Sequence, residues 1–473
     1  MSPPGAAAAR ERSPLDRLLS PFAEVHPGEG ATALLLMLCV FLLLTAYYVI
    51  KTVREPLILA GGGAEVKSYT AAGQALLLLF LVPAYGAFAS RVDRMKLITG
   101  VTLFFASNLV VFYLLARAHV PYLGVAFFLW VGIFSLMIIA QFWSFANDVY
   151  TPEQGKRLFA IVAFGSTAGA IFGAWIAKML IGPFGVYQLM LVAAGILLLV
   201  LALTRIVHAR EMSRPEAAAE SAAAGTVSEP LAKTGGYQLV FASRYLLLIA
   251  MLMLVYNFVN TNGEYILGKT VTAEAAKQVA AGAAAAAGVD PGEWTGKFIG
   301  KFYGDFFTWV NVITAIVQLF LVSRIMKWFG VRVALFFLPV IAMGGYGIIA
   351  TVPILSLVRV AKIAENSTDY SLQNTARQAL FLPTSREAKY KAKAAIDSLF
   401  VRGGDLLSSG LVFLGTQWAL GPKAFARINL VLVAVWLVVV VLLARENAKI
   451  EKEKAGAKGS FRAGAPQPSR STA

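Results

Sequence analysis

The sequence predicts an all-α polytopic membrane protein, with about twelve transmembrane helices arranged as two six-helix halves. Three observations carry this. The chain has 473 residues, of which 58% are hydrophobic and only 14% charged, against roughly 25% charged in soluble domains. Its apolar runs have the length a bilayer demands, roughly 20 residues at about 1.5 Å of rise each. The runs also fall into two sets of six, divided by a polar stretch.

The first run, 31–50, reads ATALLLMLCVFLLLTAYYVI. It is too long for a signal-peptide core and no small-residue cleavage site follows it, so a retained helix is expected. Further spans are expected at 71–90, 97–116, 121–143, 158–180 and 186–207. The second set falls at 245–263, 303–325, 332–351, 353–374, 396–418 and 425–444. Residues 1–30 precede the first half (31–208). A linker at 209–236, rich in Ala, Glu and Ser, is expected to be flexible and cytoplasmic. The second half is 237–446, and 447–473 reads as a basic, disordered cytoplasmic tail. The stretch 264–302, with VAAGAAAAAGVDPGEW, reads as an external surface helix or loose loop. A faint echo between SRVDRMK after span two and SRIMKWFG after span eight points to duplication.

Lys and Arg number 42 against 26 Asp and Glu, a net charge of +16. Placing both termini inside puts most of these cations on the cytoplasmic side, as the positive-inside rule requires. The basic charge therefore calls for no nucleic-acid partner, and the basic tail is expected to meet anionic lipid. A bacterial inner membrane and a monomeric state are the plainest expectations. Cys39 is the single cysteine and the histidines are three and scattered, so neither a disulfide framework nor a metal or other cofactor is expected. No Ser/His/Asp, HExxH or CxxC constellation supports an enzyme. Gly263–Thr270 (GEYILGKT) matches the phosphate-loop pattern literally, but it follows a membrane helix instead of a strand, which marks a chance match.

Span ten, PILSLVRVAKIAENSTDYSLQN, is too polar to face lipid. An ionisable residue within a bilayer is costly and by default functional. Arg359, Lys362, Glu365 and Asp369 project within one ~120° face of a helix. That face is either a salt-bridge ladder between helices or one wall of a polar translocation cavity. Tyr47, Tyr48, Lys51, Arg54 and Glu55 share a similar arc at the end of span one. Two cations and two tyrosines suit phosphate oxygens and a stacked base; the other reading is an interfacial aromatic belt with snorkelling basic ends. Asp397, Arg402 and Asp405 add charge to span eleven, Glu264 ends span seven and Asp305 opens span eight. Gly165, Gly169 and Gly173 form a small-residue stripe expected to serve helix packing.

Six spans, a linker and six spans is the layout of major-facilitator-type transporters, which work by alternating access. Five blocks add a narrower likeness: YYVIKTVREPLIL, FWSFANDVYTPEQGKRLFAIVAFG, SRYLLLIAMLMLVYNFVNTNGEY, YGDFFTWVNVIT and TDYSLQNTARQALFLPTSREAKYKAKAAIDSLFVRGG. In this order they resemble the non-mitochondrial ATP/ADP antiporters of plastids and intracellular bacteria, over residues 31–445. The resemblance implies exchange of ATP for ADP. It places the family's first-helix lysine on Arg54, with Lys51 where the family has arginine. It places an acidic residue on Gln154 beside Glu153, the span-seven glutamate on Glu264, and a further lysine on Lys393 or Lys391. Pro56 and ARQALFLPTSRE depart from the family's strings. The expected substrate site is thus Tyr47, Lys51, Arg54, Glu153, Glu264, Asp305, Arg359, Lys362, Lys391, Lys393, Asp397 and Arg402. Another phosphorylated or anionic metabolite, or a non-transporting membrane sensor or scaffold, are the alternative readings.

Overall fold

The computed structural model describes residues 14–20, 24–89, 92–212, 236–385 and 387–463. Among them every regular element is helical, as the sequence leads one to expect. The helices are α1 (Pro14–Leu19), α2 (Gly30–Ala89), α3 (Arg94–Arg117), α4 (Leu123–Val149), α5 (Pro152–Phe184) and α6 (Leu189–Met212). After residues 213–235, where most of the expected linker lies outside the described residues, come α7 (Gly236–Ala242), α8 (Arg244–Ala280) and α9 (Pro291–Ile316). α10 (Ser323–Thr351), α11 (Leu355–Thr368), α12 (Asn374–Ala379), α13 (Val401–Gln417) and α14 (Pro422–Ala463) complete the chain.

Among the described residues eight helices are long and apolar enough to cross a membrane, including 56-residue and 61-residue runs. At about 1.5 Å per residue each of these two is roughly three times the ~30 Å of hydrocarbon, long enough for two crossings. Each is broken once by a glycine at positive φ: Gly63 (φ 73°) within α2 and Gly330 (φ 72°) within α10. A left-handed residue there is cheap only for glycine, so these positions separate spans one from two and eight from nine. The hydropathy-based limits need one correction, and the 264–302 segment takes the helical one of its two expected forms. Span one does not end at 50 but runs to the Gly63 break, so Lys51, Arg54 and Glu55 sit inside a helix. The 264–302 segment is mostly helical, interrupted at Gly282 (φ 87°) by a short turn, Ala283–Ala286. Gly263–Thr270 is helix throughout, so no phosphate loop forms there.

Span ten continues beyond 374, as α11, a wide π-type stretch Asp369–Gln373 and then α12. Further π stretches occupy Val317–Val322, Ala388–Ala392 and Ile396–Phe400. Such bulges often mark functional positions within helices.

The chain packs as two compact units. The first is Met1–Glu229 with Val271–Val312, and the second is Pro230–Thr270 with Ile313–Ala473. In the first unit the glycine stripe of α5 lies against α2, as expected. A Cβ on Gly165, Gly169 or Gly173 would stand 2.4, 2.2 and 2.6 Å from the carbonyl oxygens of Met37, Phe41 and Thr45. Both series advance by four residues in the same direction, so the two helices run parallel. Thr45 Oγ1 also donates to Gly169 O at 3.3 Å. Large apolar side chains such as Phe80, Phe164 and Trp328 stay on the exterior, as lipid-facing positions do.

Candidate functional site

The first unit gathers charge around α2. Glu55 is fully buried and both its carboxylate oxygens are taken. Arg54 Nε donates to Oε1 at 3.0 Å, and Lys67 Nζ donates to Oε2 at 2.6 Å. Lys67 lies beyond the Gly63 break, so this ion pair ties the two arms of α2 together. Aromatic faces hold the cations from the other side. Arg54 lies over Phe128 (4.5 Å to the ring centroid), Lys51 over Phe307 (4.3 Å) and Tyr48 (5.2 Å), and Lys67 over Tyr303 (5.2 Å). Such contacts stabilise a desolvated cation without neutralising it. Tyr47 stacks on Phe134 at 6.4 Å and meets Tyr48 edge-on at 5.3 Å, and Tyr48 donates to Asn311 Oδ1 at 3.0 Å.

Tyr303 and Phe307 are four residues apart and so share one face of α9, which Lys51 and Lys67 meet one turn apart. Asp305 lies on another face of that helix and pairs with Lys178 of α5 at 2.5 Å. A cavity of about 1240 Å³ opens at the Gly63 end of this unit, lined by Pro56, Val66, Tyr122, Tyr187 and Lys297 among others.

Glu153 does not join this cluster. It is exposed in the first turn of α5. The parallel packing puts it near the start of α2, roughly 37 Å along α5 from Lys178 at about 1.5 Å per residue. Its neighbour Gln154 closes a capping box with Thr151 and donates to Glu29 Oε1 at 3.2 Å. Arg157 grips Glu29 in a two-pronged pair, both contacts 3.0 Å. Burial disfavours the Glu29 carboxylate, but the Arg157 and Gln154 hydrogen bonds and the His26 backbone N–H outweigh it and hold the group below its ordinary range. Gln154, where the resemblance places an acid, is thus a cap and a latch residue.

The second unit holds a drier network. Lys362 is 1% exposed; it donates to Asn260 Oδ1 at 3.2 Å and pairs with Glu365 Oε2 at 3.1 Å, with Glu264 Oε1 an ion-pair partner at 3.6 Å. Tyr346 OH donates to Glu365 Oε2 at 2.9 Å, and Asn366 Nδ2 to Glu264 Oε1 at 3.2 Å. Gly263 leaves the room for this: a Cβ there would meet the Tyr346 hydroxyl at 2.0 Å and Lys362 Nζ at 3.0 Å. One helical turn on, Asp369 accepts from Tyr256 OH at 2.5 Å and pairs with Arg377 at 3.2 Å. Asp405 accepts from Asn257 (2.8 Å), Thr261 (2.7 Å) and Arg402 (3.5 Å).

Of the remaining expected residues, Lys393 pairs with Asp397 at 2.9 Å on a half-exposed helical turn. Lys391 is half-buried in the stretch packed against Gly236 of α7, and Arg359 is half-buried on α11. Residues of α8, α10 and α11 thus pair with one another across the helices. Sequence reading missed Lys67, Lys178, Tyr346 and Arg377. Lys178 carries a usable signal, a lone cation in an apolar run. Lys67 carries none, because it stood in what hydropathy leaves as a loop.

The sequence profile of the Major Facilitator Superfamily matches residues 35–382. Among curated proteins, the chain is 24% identical over 352 residues to ADP,ATP carrier protein 1 of Chlamydia pneumoniae, covering 64% of this chain and 63% of the relative. It is 22% identical over 509 residues to ADP,ATP carrier protein 2 of Chlamydia trachomatis, covering 91% of each. The chain thus spans a little under two thirds of the first of these carriers. The resemblance drawn from the five sequence blocks is found again in these relatives. Solved structures of similar fold include the nucleoside transporter NupG (TM-score 0.62, 11% identity, 89% of this chain and 99% of that one). A bacterial homologue of the iron transporter ferroportin is another (TM-score 0.57, 15% identity, 88% and 98%). At such identities the likeness is one of fold.

Proposed function

The chain belongs to the Major Facilitator Superfamily, and from this premise we propose that it exchanges nucleotides across a membrane, ATP for ADP, by alternating access. That it is an integral, multi-pass membrane transporter follows from the family and the apolar helices. The observation that carries the nucleotide reading is the first-unit cluster, where Lys51, Arg54 and Lys67 stand over aromatic rings around a single buried carboxylate. Cations at aromatic faces match the two ends of a nucleotide, charged phosphates and a planar base. The curated relatives, named as ADP,ATP carriers, support the same reading.

In this proposal Lys51 and Arg54 meet the phosphates and Tyr47 lies near the base; Glu264 and Lys362 are further substrate-binding residues. Asp305, Arg359, Lys391, Lys393, Asp397 and Arg402 complete the charged set, and Glu153 serves the far end of the first unit. The termini face the cytoplasm of a bacterial cell, and the transporter works as a monomer.

The test is uptake of labelled ATP by proteoliposomes, either preloaded with ADP or empty. Wild-type protein is expected to need internal nucleotide, and Arg54→Ala and Lys393→Ala to lose most of the uptake. Folded protein that moves neither ATP nor ADP under any loading refutes the nucleotide assignment and directs the screen to other phosphorylated anions.

A further inference from the structure

Glu55 is the residue of the first-unit cluster that a simple anion site does not explain. A carboxylate beside cations meant for phosphate competes with the substrate. Yet it is the most buried group there, with a side chain 0% exposed, while those of Arg54 and Lys67 keep 16% and 10% of their surface. The cations therefore retain open edges from which an anion can approach, and the carboxylate does not. Each carboxylate oxygen holds a different cation, Oε1 holding Arg54 and Oε2 holding Lys67. Lys51, one turn earlier, rests on the Phe307 and Tyr48 rings. Two cations thus share one fixed negative charge, with Lys51 a turn away on the same helix.

We propose that Glu55 is a resident counter-anion, a positioning residue that holds Arg54 and Lys67 in place while the site is empty and gives them up to substrate phosphate oxygens when it fills, and that Lys67 is a third phosphate-binding cation. The inference rests on the anion-exchange reading above and adds the device that keeps binding reversible. Two cations left in a low-dielectric pocket without a partner are strongly disfavoured, so the empty site needs a negative charge of its own. Phosphate replaces that charge with charge-assisted contacts of the same kind. The covalent link matters. Glu55 and Lys67 lie twelve residues apart, and the positive-φ turn at Gly63 folds Lys67 back onto the carboxylate. Occupancy of the cations is thereby coupled to the angle between the two arms of α2.

The consequence runs against the usual effect of removing a buried ion-pair partner. Glu55→Gln keeps the shape and removes the competing charge. Binding of inorganic pyrophosphate and of ADP, measured by calorimetry and by ligand-dependent thermal shift on purified protein, should tighten about tenfold. Maximal exchange in proteoliposomes should fall by at least as much, because release slows. A structural role alone predicts weaker binding together with slower exchange. Lys67→Gln should weaken pyrophosphate binding about tenfold, and Lys67→Arg should restore it. If Glu55→Gln is recovered folded only when pyrophosphate is present, that dependence supports the inference. Glu55→Asp, which keeps the charge on a shorter stem, should then bind between wild type and Glu55→Gln. Wild-type protein that binds pyrophosphate and ADP while Glu55→Gln binds them more weakly overturns the counter-anion and leaves the anion site standing. Wild-type protein that binds neither overturns both.

Discussion

Replacing Lys362 with methionine removes the cation from the driest network in the chain and keeps most of its apolar stem. The ammonium is 1% exposed and stands 3.1 Å from Glu365, itself 6% exposed, and 3.6 Å from Glu264. At an effective dielectric of 20, the Glu365 pair alone is worth roughly 5 kcal/mol of Coulomb attraction. Breaking a buried pair costs about 3–5 kcal/mol once relaxation is allowed. Glu365 would keep the Tyr346 hydroxyl as a donor, which places the loss toward the lower end. For a unit of this size, at roughly 2–4 °C per kcal/mol, the midpoint of thermal unfolding should fall by about 10 °C. The second variant is decisive. In Lys362→Met/Glu365→Gln no buried charge is orphaned, and the Gln carbonyl still accepts from Tyr346, so at least half the loss should return. Thermal unfolding of the detergent-purified variants, followed by loss of helical circular dichroism, measures both. A single variant within about 3 °C of wild type, or a double no better than the single, refutes the dry ion network.

Two further outcomes follow from the first unit. Glu29 is held below the ordinary carboxylate range by Arg157 and Gln154. Its ionised form therefore stabilises the fold above about pH 4.3, and that contribution disappears as the pH falls through its lowered folded value. Arg157→Gln should lower the unfolding midpoint at pH 7, and the gap from wild type should close on acidification below about pH 4; a constant gap argues against the pair. In the glycine stripe, Gly169→Ala puts a Cβ 2.2 Å from Phe41 O, which forces α5 and α2 apart and should cost about 1–3 kcal/mol. Gly195→Ala in α6 meets nothing within 4 Å and should be neutral or gain up to about 1 kcal/mol in helix propensity. Equal midpoints for the two variants contradict the packing role.

The fold was legible because bilayer crossing imposes a length and a polarity that composition cannot hide. Apolar runs mark the long helices, whereas the polar helix of span ten is called for by the positive-inside rule and not by hydropathy. The site was legible only where charge and helical period coincide. Lys362, Glu365 and Asp369 lie on one predicted face and do meet partners across helices, with Glu264 joining from α8. What escaped was set by backbone turns. Hydropathy falls off after Ile50 because Lys51, Arg54 and Glu55 are charged, so the run looked finished. The helix in fact persists to Gly63, since the Glu55–Arg54–Lys67 pairing neutralises what hydropathy counts as polar. Lys67 meets Glu55 through that turn, and no periodicity relates two residues across a reversal. Glu153 shows the converse: next to the matched position in sequence, it sits a helix length from the cations, because parallel α2 and α5 fix its level.

The charge arrangement around Glu55 also bears on why the proposed activity should favour exchange over net transport. An empty site in which Arg54 and Lys67 share one carboxylate carries excess positive charge, and desolvating that excess during reorientation is costly. Substrate phosphate removes the penalty, so the loaded carrier moves and the empty one lags. Glu55 lowers the penalty without abolishing it. Its removal should therefore make the dependence on internal substrate stricter. The ratio of ATP uptake into ADP-loaded vesicles to uptake into empty ones should be larger for Glu55→Gln than for wild type, even as the absolute rate falls. This ratio is insensitive to how much active protein is reconstituted, so a partly unstable variant does not distort it. An unchanged or smaller ratio would mean that the carrier's return step does not sense the charge left on Arg54 and Lys67, and coupling would have to reside elsewhere, with the Lys362 network the next place to measure.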